Sequence, residues 1–360
     1  MSILSRKRFW IYIFSVILFF YLISEAFLGI LGIPKEYKFR ATSRQFVKVA
    51  DPEVVYVNVP STTLDFIYDG NPRGYFRNDN TVDHKTNSRG FRGPEFEIAK
   101  APGTRRILFL GDSFTFGEGV YFEDTYPQKF AEAARVQGLF GNQALEPLDL
   151  GVGGYNTKQE VALLKSFEGK LGEDAIVLGY TLNDAEDLLF KQDDIFGLVR
   201  RRREAEVQDV TLPSSFAPWW VKISRVHKIL WHFYEAKKVT ESTTVHYRDL
   251  YAEGSPGIQR VEQALDDLAS YPKEYNKPVV IVLFPVLFQI KAGYPFADIH
   301  QKLIEEFQKR GFSYIDLLPL LESYDDAKLW VHPTDQHPNE IVHSIAAEQL
   351  VKVFEKFQSQ

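Results

Sequence analysis

The sequence predicts an α/β protein of three layers, in which helices cover both faces of a five-stranded parallel sheet. The first observation is that, from Arg105 onwards, apolar runs of strand length alternate with segments of helix length. Such alternation is typical of parallel strands joined by crossover helices. The second observation is that the run Arg106–Leu110 ends in a glycine turn, which Ser113 follows. A serine placed there lies at the carboxyl edge of the sheet, where open α/β folds bind ligands.

Each element in this region follows from its own pattern. The strands are short apolar runs bounded by turn residues, and the helices carry apolar residues at helical spacing. The predicted strands are Arg106–Leu110, Leu145–Leu150, Ala175–Tyr180, Val279–Phe284 and Tyr314–Leu317. The predicted helices are Asp124–Gln137, Thr157–Gly169, Ile258–Tyr275, Ala297–Arg310 and Asn339–Phe357. Together they form a predicted catalytic domain over residues 105–360.

One segment, residues 188–256, breaks the alternation. It is too long for an ordinary connection, and it contains a basic cluster followed by many aromatic residues. We expect a helical insertion near the strand ends. It could form a small satellite core, a substrate lid, a sugar-stacking wall or a membrane-facing surface.

The N-terminal residues 1–33 are predicted to be a cytoplasmic tip and a transmembrane anchor. The basic cluster Arg6–Arg8 precedes the apolar runs Phe9–Ile23 and Ala26–Ile33, which together are long enough to span a bilayer as a helix. The basic flank should stay in the cytoplasm, so the rest of the chain is expected in the periplasm or at the cell surface. Two alternatives stay open: a signal peptide cleaved at Ser24-Glu25-Ala26, and a buried helix of a soluble domain.

Residues 34–104 are predicted to be a preface rich in strands and loops. Val54–Val59 has β-forming residues, and the segments around Asp69–Pro72 and Arg89–Pro94 are rich in turn residues. Because this preface contains aromatic residues that need burial, we expect it to pack on the catalytic domain.

Composition excludes several classes of function. The chain of 360 residues has no cysteine, which excludes disulfides, thiolate catalysis and cysteine-ligated metal sites. Its net charge of −6 gives no reason to expect nucleic acid as a partner. The cluster Arg200–Arg203 is predicted to be a solvated helix or loop face. Composition leaves the oligomeric state open.

Ser113 needs a base to take its proton, and the C-terminal segment offers one. Pro338 disfavours helical geometry at His337, and in an extended segment residues two apart point to the same side. Asp335 can therefore orient His337 or support its positive charge, as the carboxylate of a catalytic triad does. This segment follows the last predicted strand, so we expect it at the same sheet edge as Ser113.

Donors for an oxyanion are predicted at two further strand ends. The glycines Gly153 and Gly154 follow the second strand and let a backbone N–H approach a ligand closely. We choose Gly154, although the sequence does not separate the two. Asn183 follows the third strand and carries an amide, whereas Asn183-Asp184 alone would also fit a helix cap.

In combination these segments resemble the SGNH branch of the GDSL hydrolase superfamily, over about residues 105–357. The four blocks are Gly111-Asp112-Ser113-Phe114-Thr115, Gly153-Gly154-Tyr155-Asn156-Thr157, Asn183-Asp184 and Asp335-Gln336-His337-Pro338-Asn339. The preface segment Asn87–Gly93 is similar to the region before the serine block in membrane-anchored bacterial members.

The resemblance implies a flavodoxin-like fold and ester hydrolysis or acyl transfer without a cofactor. It implies that Ser113 is the nucleophile and, through its N–H, the first oxyanion donor. Gly154 and Asn183 would supply the other donors, His337 would be the base, and Asp335 would orient it. The family's last block usually reads Asp-x-x-His, whereas this chain has Asp-x-His, so His332 stays a reserve base.

The predicted function is an extracytoplasmic serine esterase that hydrolyses O-acyl esters through an acyl-serine intermediate, with O-acetyl esters implied by the resemblance. Its expected partners are an acylated glycan or another ester and, through residues 1–33, the membrane. One alternative is acetyl transfer to an exopolysaccharide or cell-envelope glycan, and another is a non-catalytic glycan-binding or assembly factor. No cofactor or metal is predicted, although His332, Asp335 and His337 leave a metal cluster as an alternative.

Overall fold

A computed structural model describes residues 3–35, 37, 39–41, 45–187, 217–275 and 277–358. The chain divides into two compact units, residues 1–39 with 209–243 and residues 40–208 with 244–360. The first part of the predicted insertion, residues 188–216 with Arg200–Arg203, lies outside the described residues.

The strands and helices follow in chain order. The strands are β1 (Phe39–Ala41), β2 (Phe46–Lys48), β3 (Tyr56–Asn58), β4 (Thr63–Tyr68), β5 (Thr81–Lys85), β6 (Thr104–Gly111), β7 (Ala144–Asp149), β8 (Ala175–Tyr180), β9 (Val279–Leu283), β10 (Ser313–Asp316), β11 (Trp330–His332) and β12 (Asp335–Pro338). The helices are α1 (Ile3–Leu31), α2 (Ser113–Phe116), α3 (Tyr126–Val136), α4 (Thr157–Ser166), α5 (Trp219–Lys222), α6 (Arg225–Leu250), α7 (Pro256–Tyr275), α8 (Ile290–Gly293), α9 (Ala297–Lys309), α10 (Leu318–Leu321) and α11 (Glu340–Gln358).

The main sheet of the larger unit has five parallel strands in the order β7-β6-β8-β9-β10. Numbered along the chain from β6, this is the order 2-1-3-4-5 of flavodoxin-like folds. The predicted five-stranded parallel sheet is therefore confirmed, and each strand begins and ends within two residues of its predicted bounds. This is the fold that the resemblance to the SGNH branch implied.

Both faces of this sheet are buried. Successive residues of a strand point to opposite sides, so each strand contributes side chains to two separate cores. Leu108 and Leu110 of β6 join a core with Val161 of α4 and Leu265 of α7. Ile107 and Phe109 of the same strand join a second core, whose members include Phe130 of α3 and Leu350 of α11. Burial on both faces explains why these strands read as continuous apolar runs rather than as alternating ones.

The preface forms two small sheets, β1-β4-β5 and β2-β3. It packs against the carboxyl edge of the main sheet at several points. Arg92 forms an isolated bridge with Asp149 at the end of β7, and the Asn58 amide donates to the carbonyl oxygen of Gly151 at 3.1 Å. These contacts bring preface residues close to the serine turn.

The smaller unit contains α1, α5 and the first part of α6. Its segment Arg6–Leu31 is long and apolar enough to cross a membrane, by length and composition alone. Within this unit, Glu25 of α1 accepts hydrogen bonds from the backbone N–H groups of Arg225, at 2.9 Å, and Val226, at 3.0 Å. Glu25 thus caps the first turn of α6, whose N–H groups have no partner within the helix.

Candidate active site

The serine turn is shaped by Gly111 and Asp112. Gly111 has a φ of 151°, and a Cβ there would lie 2.0 Å from Thr115 Oγ1, so only glycine fits. Asp112 caps α2, because its Oδ1 accepts a hydrogen bond from the Phe114 N–H at 2.8 Å. The turn places Ser113, the first residue of α2, at the carboxyl end of β6, which lies between β7 and β8 in the sheet.

The structure brings Ser113, His337 and Asp335 into one hydrogen-bonded chain. His337 Nε2 lies 2.9 Å from Ser113 Oγ, and His337 Nδ1 lies 2.6 Å from Asp335 Oδ1. Asp335 and His337 both belong to β12, where the spacing of two puts them on the same side. Tyr68 of β4 completes the chain by donating to Asp335 Oδ2 at 2.6 Å.

The charges of these hydrogen-bonded residues shift the pKa values of His337 and Asp335 in the directions that favour a protonated imidazole and an ionised carboxylate. Burial alone would lower the pKa of His337, but the Asp335 carboxylate, with smaller contributions from Glu118 and Asp112, raises it to about 10. Burial alone would raise the pKa of Asp335, but His337 and the Tyr68 hydroxyl outweigh burial and lower it. The site therefore stabilises the protonated imidazole that forms when a serine gives up its proton.

Asn183 lies beside the serine turn. Its Nδ2 donates to Asp112 Oδ2 at 2.8 Å, and the side chain is half-buried. A carboxamide nitrogen carries two hydrogens, so one donor of Asn183 is left for a ligand. The neighbouring Asp184 has the capping role, because its Oδ2 accepts from the Thr181 N–H at 2.6 Å.

The glycine loop after β7 also approaches the serine turn. A Cβ at Gly151 would lie 2.3 Å from the backbone nitrogen of Phe116, so this glycine allows the loop to pack on α2. Gly154 has a φ of 75°, a conformation that favours glycine. The Gly153 carbonyl oxygen accepts a hydrogen bond from the Tyr56 hydroxyl at 3.1 Å. The choice of Gly154 as the oxyanion donor stays a prediction.

His332, the reserve base, lies in β11, the strand that pairs with β12. Its imidazole is buried, with Nδ1 2.7 Å from Thr334 Oγ1 and its ring against that of Tyr68. Among the described residues, no group of three or more His, Cys, Asp or Glu side chains is arranged to hold a metal ion. The geometry therefore favours His337 over His332 as the partner of Ser113.

Sequence reasoning missed four residues that the structure places at the site: Gln45, Tyr68, His84 and Glu118. Three of them come from the preface, and the motifs carry no signal for them. Glu118 alone had a signal, since it lies five residues after Ser113 in the same loop. Its Oε2 is 3.6 Å from His337 Nε2.

Comparison with known proteins gives structural similarities only. No family model matches the sequence, and no curated protein matches it. A two-domain esterase active on acetylated mannans is 13% identical to this chain, with a TM-score of 0.42. The match covers 71% of this chain and 50% of the esterase, so this chain spans about half of the esterase's length. The lipase/acylhydrolase from Enterococcus faecalis is 12% identical over 70% of this chain and 96% of that one, with a TM-score of 0.40. An acetyl xylan esterase is 13% identical over 69% and 98%, with a TM-score of 0.41. The grouping of Ser113, His337 and Asp335 therefore rests on this chain's own geometry.

Proposed function

We propose that this chain is a serine esterase that hydrolyses O-acyl esters through an acyl-serine intermediate. The observation that carries the proposal is the chain of contacts from Ser113 Oγ through the His337 imidazole to Asp335, at 2.9 and 2.6 Å. A serine hydroxyl becomes a nucleophile when a base oriented by a third group accepts its proton. All three groups lie at the carboxyl edge of the sheet, which is where open α/β folds bind their ligands.

In the first half of the reaction, Ser113 Oγ attacks the ester carbonyl carbon while His337 Nε2 takes the hydroxyl proton. The carbonyl π-electron pair moves onto oxygen and gives a tetrahedral oxyanion. The proposed donors to this oxyanion are the Ser113 N–H, the Gly154 N–H and the second hydrogen of Asn183 Nδ2. When the oxyanion collapses, the bond to the alcohol oxygen breaks, and the alcohol leaves with the proton from Nε2.

In the second half, water attacks the acyl-serine with His337 as base, and the acid leaves as Ser113 regains its proton. Asp335 keeps the Nδ1 proton directed toward itself throughout and supports the positive charge of the imidazole. No step needs a redox partner, because only acyl bonds are exchanged.

The finer features of the proposal are an extracytoplasmic, membrane-tethered location and a preference for O-acetyl esters on a glycan. The location is supported by the apolar segment Arg6–Leu31 behind its basic flank. The acetyl preference is supported by the family resemblance of the four sequence blocks. Rates across a series of acyl chain lengths test it, and fastest turnover of long chains would overturn it.

The activity is tested with the full chain in detergent, using an aryl acetate and the variants Ser113→Ala and His337→Ala. Each variant should lower kcat by about 10³-fold or more, because triad members act as a unit. The variant His246→Gln is the matched control, because His246 is an exposed histidine that pairs with Glu186, and it should keep its turnover. A phosphonate ester should react with Ser113 Oγ, lose its alcohol and add the mass of the remaining phosphonyl group to the wild-type chain, and it should leave Ser113→Ala unmodified.

Equal turnover in wild type and Ser113→Ala, with circular dichroism showing both folded, would overturn the proposal. If a folded wild-type chain is inert and is not modified by the phosphonate, a glycan-binding or assembly role replaces it. An added oligosaccharide acceptor distinguishes the remaining case, since acetylated oligosaccharide formed faster than acetate would show acyl transfer.

A further inference from the structure

A second carboxylate lies at the candidate active site, and the mechanism above does not use it. Glu118 Oε2 is 3.6 Å from His337 Nε2, the nitrogen that also contacts Ser113. The Glu118 side chain is only 11% exposed. Asp335 faces the opposite nitrogen, Nδ1, so the imidazole lies between two carboxylates.

Glu118 is held firmly in this position. Its N–H donates to the carbonyl oxygen of Ser113 at 3.0 Å, and the N–H of the next residue donates to His84 Nε2 at 3.0 Å. Gln45 Nε2 donates to Glu118 Oε1 at 2.6 Å. On another side, a Cβ at Gly153 would lie 2.7 Å from Glu118 Oε1, so the glycine loop leaves room for this carboxylate.

The two oxygens of Glu118 have different surroundings. Oε1 accepts from Gln45, whereas Oε2 faces His337 at a distance too long for a hydrogen bond. An ionised carboxylate is an acceptor with about four lone-pair positions, so Oε2 can accept from a bound molecule. The other charged groups that face Glu118 are His337, Asp335 and Asp112.

The proton transfer in the proposed reaction determines which part of a substrate lies near Glu118 Oε2. His337 Nε2 passes its proton to the alcohol oxygen of the ester, so that oxygen must come within hydrogen-bond reach of Nε2. Groups on the neighbouring carbon of the alcohol then lie near Glu118. A hydroxyl there can donate to Oε2, whereas a negatively charged group is repelled in a site where water screens little.

We infer that Glu118 and Gln45 form a subsite for the alcohol portion of the ester, which accepts polyhydroxy alcohols and rejects anionic ones. This inference rests on the proposed esterase function and deepens it, because it names the substrate class. Glu118 is the specificity-determining residue, and Gln45 is a positioning residue that acts through it.

The test uses three acetates that differ only in the ortho group of the phenol: 2-hydroxyphenyl, 2-methoxyphenyl and 2-carboxyphenyl acetate. Each kcat/KM is measured with the full chain in detergent for wild type, Glu118→Gln, Glu118→Asp and Gln45→Ala. Because burial raises the pKa of Glu118, the comparison is made at mildly alkaline pH, about pH 8, which favours the charged carboxylate and stays below the pKa of about 10 of a phenol hydroxyl. The exposed Glu123→Gln is the matched control.

For Glu118→Gln we expect kcat/KM for the carboxyphenyl ester, relative to the methoxyphenyl ester, to rise by about tenfold or more, because a charge repulsion is lost. The preference for the hydroxyphenyl over the methoxyphenyl ester should fall by about fivefold or more. Glu118→Asp should still reject the carboxyphenyl ester but lose the hydroxyl preference, since its carboxylate is shorter. Gln45→Ala should weaken both preferences, and Glu123→Gln should change neither.

Two failures are distinguishable. If turnover disappears in Ser113→Ala but the three rates keep their wild-type ratios in both Glu118 variants, the subsite is overturned and the esterase stands. If none of the acetates shows turnover that depends on Ser113, the esterase function and the subsite fall together.

Discussion

At the scale of single residues, the pKa of His337 links the geometry of the site to a measurable pH profile. The Asp335 carboxylate outweighs burial and raises this pKa to about 10. His337 must be neutral to accept a proton, so kcat/KM should fall as pH drops through this pKa. We expect the acid limb of the profile well above 6.5, the ordinary pKa of histidine.

The variant Asp335→Asn tests the cause of that shift. Loss of the carboxylate should move the acid limb of kcat/KM down toward pH 6.5 and lower kcat by about 10⁴-fold, because the imidazole loses its orienting group. Asp325→Asn is the matched control, since Asp325 is exposed and pairs with Lys291. A wild-type limb at or below pH 6.5 would contradict the assignment of these charges.

Tyr68 gives a second prediction at this scale. Its buried hydroxyl donates to Asp335 Oδ2 at 2.6 Å, and Tyr68→Phe removes this donor without changing the packing volume. Hydrogen bonds to charged groups contribute about 1.5–3 kcal/mol, so we expect kcat to fall by about tenfold or more and the unfolding free energy to fall as well. Tyr75→Phe removes the similar hydroxyl bond to Asp124, away from the serine, and should leave kcat almost unchanged. Equal effects of the two variants on kcat would show that Tyr68 acts on stability alone.

Local sequence patterns predicted the Ser113–His337 pair because each residue lies in a motif at the end of an element. Tyr68 was not predicted, since it is 267 residues away from Asp335 along the chain and only tertiary packing brings them together. Gln45 reaches Glu118 across 73 residues in the same way. Spacing rules describe neighbours on one strand or helix, so contacts between a preface and a distant hairpin carry no local signal.

At the scale of elements, α2 and the loop after it are held by a buried arginine of the preface. The Arg92 guanidinium donates to the carbonyl oxygens of Phe116 and Gly117, at 2.7 and 2.6 Å, and of Val120, at 2.6 Å. Burial lowers the pKa of Arg92 to about 10, a cost that the Asp149 carboxylate partly offsets. The serine turn therefore depends on the preface for its shape.

Arg92→Met should therefore be strongly destabilising. It leaves buried carbonyl groups without donors, and we expect the unfolding free energy to fall by about 3–5 kcal/mol. Chemical denaturation followed by circular dichroism measures this change. Arg77→Met is the matched control, because Arg77 pairs with Glu123 at the surface and should cost less than about 1 kcal/mol. A loss below about 1 kcal/mol for Arg92→Met would show that the loop keeps its shape without the guanidinium.

At the scale of the whole molecule, the chain contains a larger unit built on an α/β sheet and a smaller unit that sequence patterns predict less well. The continuous apolar strands predicted the sheet, since burial on both faces leaves a strong signal. The insertion was predicted to be helical, and its described part forms α5 and α6, but its composition did not predict where these helices begin and end. Within the smaller unit, the Glu25 carboxylate of the apolar segment accepts hydrogen bonds from backbone N–H groups of α6. No local sequence rule predicts this pairing.

That pairing bears on whether the N-terminal segment is retained. Cleavage at Ser24-Glu25-Ala26 would remove Glu25, which accepts from Ser224 Oγ and from the N–H groups of Arg225 and Val226. Without this cap, the first turn of α6 would have unpaired donors, at a cost of about 1 kcal/mol or more. We therefore propose that the segment stays attached as the anchor. The intact mass of chain purified from membranes, with a C-terminal tag, should include residues 2–26.

The variant Glu25→Ala tests the cap itself. In the detergent-solubilised full chain, it should speed tryptic cleavage near Arg225 and Lys228, because an uncapped first turn opens more often. Ser24→Ala is the matched control, since among the described residues the Ser24 hydroxyl donates to the Phe20 carbonyl oxygen of its own helix, at 2.9 Å. Equal cleavage rates in wild type, Ser24→Ala and Glu25→Ala would show that Glu25 does not hold α6. A mass lacking residues 1–26 would show that the segment is a signal peptide and that the mature chain lacks most of α1.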